Sequence, residues 1–264
     1  GADSHVDELW LAPDGASAIP DTVLQSGLSQ SSLPVRYVPD LTVLRMLQHR
    51  INDVDGLTVI ELNATPLDGP EAVFKALMDR SLAAISLLAL SPLLLLIAAL
   101  VRLDSPGPAL FTQPRHGGGG RIIRVFKFRT MHTATSADTR QAKPNDPRVT
   151  RLGRFLRRSS LDELPQLFNV LQGDMSLVGP RPHPLELNNQ YRKRLDTYMQ
   201  RHRVKPGITG WAQINGCRGA TETLDKMQKR LEYDLYYIEN WSIWLDIKIL
   251  AKTTLLGWSD RNAY

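Results

Sequence analysis

The sequence predicts an α+β fold, mainly helical: a re-entrant membrane helix hairpin plus amphipathic interface helices around a small domain with a short β-hairpin. Three observations carry this expectation. Residues 82–101, LAAISLLALSPLLLLIAALV, hold no charged side chain. Leu224, Met227, Leu231, Leu235 and Ile238 recur at three- and four-residue intervals, as the apolar face of a helix does. RIIRVFKF at 121–128 alternates basic and apolar residues, as the two faces of a strand do.

Crossing the hydrocarbon layer takes about 20 apolar residues, which residues 82–101 supply. The competing reading is a buried central helix of a soluble domain. Pro92 lacks an N–H and clashes with the preceding turn, so a helix kinks or breaks there. Ser91 is biased away from helical dihedrals by the proline, yet its hydroxyl can satisfy freed backbone groups. A break would leave two legs of about 15 Å, each half a bilayer deep. Lys75 and Arg80 precede the run, and Arg102, Arg115, Arg121, Arg124, Lys127 and Arg129 follow it. A spanning helix would put one basic flank outside, against the usual bias. A chain that dips in and turns at Ser91-Pro92 keeps both flanks on one side, and this is the preferred reading.

The net charge of +5 and the pI of about 9.4 suit a phosphate-rich partner: nucleic acid, anionic lipid or a nucleotide substrate. A single cysteine, Cys217, excludes an internal disulfide framework and a cysteine-rich zinc site. The polar N-terminus does not read as a cleavable signal peptide, and no fixed-period repeat is found. Within residues 1–70, VRYVPDL and GLTVIEL read as short strands and LTVLRMLQHRI between them as a helix. NATPLDGPEA reads as a linker. None of these residues suggests chemistry.

After the apolar run, a Ser105-Pro106-Gly107 turn, a strand, four glycines and a second strand predict a β-hairpin. Gly117–Gly120 lack a following GK[ST] and helix, so a nucleotide-cradling loop is excluded and a mobile loop is expected. Residues 132–147 read as an exposed polar loop.

Residues 146–182 form the densest stretch. Arg148, Arg151, Arg154 and Arg158 would share one helical face, either merely solvated or placed against lipid headgroups or a diphosphate. A second helix is expected from near Asp162, with Pro165 in its first turn and Gly173 as its C-cap. Ser160-x-x-Glu163 fits a capping box, a structural device. The adjacent acids Asp162 and Glu163, close to five arginines, equally suit a divalent cation and attack on phosphorus. Both readings stand on the sequence alone. Residues 186–203 read as a basic helix. Ser242 can cap a last segment, IWLDIKILAKTTLLGW, whose Trp244, Trp258, Lys248 and Lys252 suit the headgroup layer. A core helix remains the alternative for that segment.

Ser91-Pro92, KFRTM at 127–131, NDPRVTRLGRFLRRSSLDELPQLFNVLQGDMSLVGPRP and KPGITGWAQINGCRG together resemble the bacterial sugar transferases known as monotopic phosphoglycosyl transferases. The likeness covers about residues 70–264. PHPLELNNQYRKRLDTYMQRHRVKPGITGWAQING and the ending NAY are most similar to the undecaprenyl-phosphate glucose phosphotransferases within that family. Cys217 departs from the aromatic residue expected there.

The resemblance implies transfer of a sugar 1-phosphate from a UDP-sugar to undecaprenyl phosphate, with release of UMP. It further implies a ping-pong path through an aspartyl-phosphosugar on Asp162, magnesium held by Glu163 and Asp162, and a membrane turn at Ser91 and Pro92. Lys127, Arg129, Arg148 and Arg181 are the candidates for phosphate contacts, because a guanidinium fork matches phosphate oxygens. The expected division is 1–70, the remnant of an N-terminal Rossmann-like domain and linker; 71–102, the re-entrant hairpin; and 103–264, a catalytic domain with C-terminal interfacial helices. The expected location is the cytoplasmic face of a bacterial inner membrane, with anionic lipid and no nucleic acid as partner; a homodimer is left open. Glucose is the expected sugar, with galactose and N-acetylated sugars as alternatives, and exopolysaccharide or capsule assembly the destination. The competing class is a membrane-anchored basic scaffold without catalysis.

Overall fold

The computed structural model describes four strands at 9–11, 35–37, 50–54 and 57–61, then residues 65–67, 69–132, 146–195, 197–217, 219 and 223–256. The chain forms two compact units, Gly1–Ala64 and Thr65–Tyr264. In the first, β1 (Leu9–Leu11) pairs in parallel with β2 (Val35–Tyr37). β3 (Arg50–Val54) and β4 (Leu57–Glu61) pair antiparallel with Val54 opposite Leu57. Only Asp55-Gly56 separates them, a dipeptide that favours two-residue hairpins. Arg50 and Ile51, expected to end a helix, begin this hairpin instead; residues 41–49 lie outside the described residues.

The second unit is organised by α1 (Pro70–Asp104), a helix of 35 residues with Pro92 inside it. The expected break into two legs is replaced by helix that continues through Ser91 and Pro92. The physical reason lies at Leu88. Its carbonyl would accept from residue 92, which as proline has no N–H. The Ser91 hydroxyl donates to that carbonyl at 2.8 Å, so the orphaned acceptor is satisfied.

Lys75, Asp79, Ala83, Leu87, Ile97 and Val101 are buried along one stripe of α1, with Leu90 and Leu94 packed between them. The other faces are exposed and apolar: Leu88 is 79% and Leu95 72% exposed. α1 is the one helix among the described residues long and apolar enough to cross a membrane, and only 17% of its most apolar window is buried. A core helix of a soluble protein would be covered on most sides. The exposed apolar surface instead calls for lipid.

β5 (Leu110–His116) and β6 (Ile122–Phe128) form the expected antiparallel hairpin. Its glycine turn packs against another segment: a Cβ at Gly118 would lie 3.3 Å from the Lys205 nitrogen. α2 (Arg151–Ser159) follows, capped by Thr150, whose hydroxyl accepts from Gly153 N at 2.9 Å. Arg151, Arg154 and Arg158 share its exposed face, while Arg148 precedes the helix. α3 (Gln166–Gln172) ends at Gly173 in the left-handed region, as expected. The Asn169 side chain accepts from Phe126 N at 2.9 Å and donates to the Arg124 carbonyl at 2.7 Å, fixing β6 against α3.

β7 (Ser176–Val178) pairs in parallel with β8 (Gly207–Thr209). The strands meet so closely that a Cβ on Gly207 would lie 2.0 Å from the Gly179 nitrogen. The expected helix over 186–203 is α4 (Leu185–Tyr191), followed by turns and a 3₁₀ segment, Tyr198–His202. Tertiary bonds override helical spacing here: the Tyr198 hydroxyl donates to Asn188 Oδ1 at 2.6 Å from the core. α5 (Trp211–Ile214), α6 (Leu224–Glu239) and α7 (Ile243–Leu256) complete the unit. Met227, Leu231 and Ile238 are buried as the periodicity predicts, and the Ser242 hydroxyl accepts from Leu245 N. On α7, Trp244, Lys248 and Lys252 are exposed while Asp246 and Ile249 are fully buried. Trp258 lies outside the described residues.

A buried polar network ties α1 to this frame. Lys75 Nζ lies 2.6 Å from Asp246 and 3.3 Å from Asp79. The Ser176 hydroxyl donates to Asp79, and Tyr237 and Trp241 donate to Asp246. At the other end, Arg129 donates to the carbonyls of Val101, Ser105, Pro106 and Gly107. The turn that follows the helix is thereby pinned to β6. A lysine keeps the charge but not the planar fork, so Arg129→Lys should lower stability by about 1–3 kcal/mol. A melting curve in detergent checks this as a fall in midpoint.

Candidate active site

Asp162 and Glu163 lie on a 3₁₀ turn, Leu161–Glu163, between α2 and α3. The capping box is not formed. Ser160 sits in the left-handed region at φ 56°, gives no side-chain cap, and the Glu163 side chain turns elsewhere. Arg181 Nη1 donates to Glu163 Oε2 at 2.9 Å, and Arg181 Nη2 and Lys127 Nζ both reach Oε1, at 2.5 and 2.8 Å. Burial alone would raise the Glu163 pKa, but Arg181 and Lys127 outweigh it and hold the carboxyl well below the usual range.

Asp162 is the opposite case. It is 8% exposed and makes no hydrogen bond or ion pair among the described residues. Burial is the largest influence on it and pushes its pKa up to about 6. Lys127, Arg157 and Arg181 pull it down, and Glu163 pushes it up. Two adjacent carboxylates are thus driven apart: one clamped and fully ionised, the other buried with its oxygens uncommitted. An uncommitted carboxylate among cations can serve as a nucleophile or as a cation ligand.

Each member of the cluster is held by fold elements. Lys127 projects from β6, which Asn169 fixes. Arg181 follows β7, and its turn is pinned by the Gly179–Gly207 approach and by hydrogen bonds from Arg201 to the Arg181 carbonyl and from Arg115 to the Pro182 carbonyl. Arg201 is itself paired with buried Asp234 at 2.7 Å. Arg157 donates to Thr130 Oγ1 at 2.8 Å and acts on Asp162 through its charge.

Of the four basic residues expected at phosphates, Lys127 and Arg181 join the acidic pair. Arg148 is held by Asp146 at 2.6 Å, near Arg157 but outside the acidic pair. Arg129 bonds the carbonyls at and just after the end of α1, apart from the acidic pair. Sequence reasoning missed Arg115, Arg201 and Asn169 as supports; no local pattern marks them, because their partners are distant in the chain.

Among the described residues no three His, Cys, Asp or Glu side chains converge as a metal group. Magnesium needs only one or two carboxylates alongside waters and substrate phosphates. Asp162 offers an uncommitted carboxylate, and Glu163 accepts three hydrogen bonds of the roughly four a carboxylate can take. The pair fits such an ion.

The family model described as bacterial sugar transferase matches residues 70–259. The chain is 47% identical to the UDP-glucose:undecaprenyl-phosphate glucose-1-phosphate transferase of Klebsiella pneumoniae, over 98% of this chain and 56% of that protein. It is 50% identical to the Escherichia coli K12 protein of the same name, over 90% and 51%. It is 45% identical to the UDP-N-acetylgalactosamine-undecaprenyl-phosphate N-acetylgalactosaminephosphotransferase of Aeromonas hydrophila, over 69% and 43%. The chain spans about half the length of these relatives.

The electrostatics of Asp162 have a stability consequence. Its folded pKa of about 6 lies above the ordinary 3.8, so the folded chain holds the proton more tightly. Its contribution is therefore most favourable below 3.8 and is lost as pH rises through about 6, by on the order of 3 kcal/mol in all. Asp162→Asn should raise the melting midpoint, more at pH 7.5 than at pH 5; paired melting curves check the sign.

Proposed function

This chain belongs to the bacterial sugar transferase family, and we propose that it transfers glucose 1-phosphate from UDP-glucose to undecaprenyl phosphate. The observation that carries this reading is the uncommitted Asp162 carboxylate beside a Glu163 clamped by Arg181 and Lys127. The names of the Klebsiella and Escherichia relatives supply the two substrates. The Aeromonas relative supports a second reading, the same chemistry on an N-acetylated sugar.

Asp162 attacks the β-phosphorus of the nucleotide sugar. An oxygen–phosphorus bond forms to Asp162, the bond to the bridging oxygen breaks, and UMP leaves with that electron pair. Arg181 and Lys127, anchored by Glu163, face the phosphates, and Arg157 stabilises the ionised form of Asp162. Magnesium bound at the acidic pair would neutralise charge on the diphosphate. The lipid phosphate oxygen then attacks the same phosphorus and Asp162 departs as carboxylate. The product is a lipid-linked sugar diphosphate that initiates an exopolysaccharide or capsule repeat unit.

The way α1 is held supports a re-entrant disposition. Its first turns are tied to Asp246 and Ser176, and its last carbonyls to Arg129, all within one compact unit. A helix crossing the bilayer would separate those anchors onto opposite sides. We infer that α1 bends at Pro92 without breaking and returns to the cytoplasmic face, which keeps the anchors together and sets Asp162 near lipid headgroups.

Asp162→Asn should abolish UMP release and leave no radiolabelled sugar phosphate on the protein; retained labelling would sink the assignment. In the parent protein, the rate of label capture should climb with pH through about 6 and then level, because only ionised Asp162 attacks. In Glu163→Gln the climb should move to lower pH, because the neighbouring charge that raises Asp162 is gone.

A further inference from the structure

Glu163 and Arg181 form one wall of a cavity of ≈ 320 Å³ that also reaches Ser86 and Leu90 of α1. A volume of that order is ordinary for a small-molecule site. Two of its other polar residues, Thr209 and Gln213, present acceptors. Thr253 Oγ1 donates to the Ile249 carbonyl at 2.8 Å, so in its 2.6 Å contact with Thr209 the Thr209 hydroxyl must be the donor. The Thr209 oxygen keeps its lone pairs.

Gln213 is fixed in the same sense. Its Nε2 donates to the Ile208 carbonyl at 3.3 Å, and the flipped amide would set two acceptors against each other. Gln213 Oε1 is consequently an acceptor, and it is buried with no partner among the described residues. Such an atom is costly unless a donor reaches it. The chamber thus asks for hydroxyl donors on its polar side and C–H surface against Ile208 and Ile214. A phosphate headgroup brings acceptors only. A hexose brings hydroxyls around its edge and apolar faces above and below.

We propose that this cavity receives the sugar ring of the nucleotide donor, with Gln213 Oε1 and Thr209 Oγ1 accepting from its hydroxyls and so selecting the sugar. This rests on the reaction proposed above and adds which part of the donor the cavity holds. It makes Gln213, outside the acidic pair, a specificity-determining residue. Because Ser86 and Leu90 belong to α1, the polyprenyl chain is the rival occupant.

The test measures UMP release by the full chain in lipid nanodiscs, with UDP-glucose, its mono-deoxy analogues and undecaprenyl phosphate each varied. Gln213→Met should lower kcat/KM for UDP-glucose roughly tenfold to a hundredfold while the KM for undecaprenyl phosphate stays put. With the deoxy analogue lacking the hydroxyl that Gln213 reads, wild type and variant should perform alike. Thr209→Val should behave in the same manner towards another hydroxyl, with Thr209→Ser restoring activity; this pair carries the test if Gln213→Met does not fold. A rise confined to the KM for undecaprenyl phosphate gives the cavity to the lipid and overturns the proposal. So does an unchanged enzyme, or an equal loss on every analogue. Absence of UMP release by the wild type overturns the reaction and this assignment with it, whereas release with uniformly responding variants overturns the sugar assignment alone.

Discussion

The clamp on Glu163 is the constraint from which the rest of the site follows. Three separate pieces of chain meet in it: β6 through Lys127, the 3₁₀ turn through Glu163, and the turn after β7 through Arg181. Partly buried ion pairs of this kind add little net stability, since desolvation offsets most of the attraction. Their value here is positional. By absorbing two cations, Glu163 leaves the neighbouring Asp162 buried, unpaired and harder to ionise than an ordinary aspartate. One pair of adjacent acids is thus split into a clamped member and an uncommitted one.

A second polar knot serves α1. Lys75, Asp79, Asp246, Ser176, Tyr237 and Trp241 are joined where water is excluded, linking α1, β7, α6 and α7. Apolar packing along Ala83, Leu87, Ile97 and Val101 is non-directional and tolerates sliding. The ionic knot at one end and the Arg129 fork at the other set the register of a helix otherwise poor in specific contacts. A helix with exposed apolar faces thereby keeps its alignment to the rest of its unit.

The apolar run, the β5–β6 hairpin, the face of α6 and the ends at Gly173 and Ser242 were legible in the sequence. Each is written in local periodicity or cap chemistry. The Ser91 hydroxyl answering the proline gap was legible for the same reason. Other features were not. Ser160 and Glu163 match a capping box by spacing, but distant cations compete for the same carboxylate and win. Arg129 follows Lys127 closely in sequence, yet its guanidinium is drawn off by carbonyls of the helix end. β7 and β8 are three residues each and separated by a long excursion, below the length at which alternation is visible. The acidic pair itself was legible as an alternative to the capping box, which is not formed.

The side chain of Asn169 does for β6 what a neighbouring strand would do. Its amide gives one donor and one acceptor to Arg124 and Phe126, just as a peptide unit would. Arg124 and Pro114 face each other as a non-hydrogen-bonded pair, so the carbonyl of Arg124 looks outward. An open margin of this sort ordinarily invites a strand from another molecule. Plugged by a single amide, the outer edge of β6 gives a passing chain no place to stitch on.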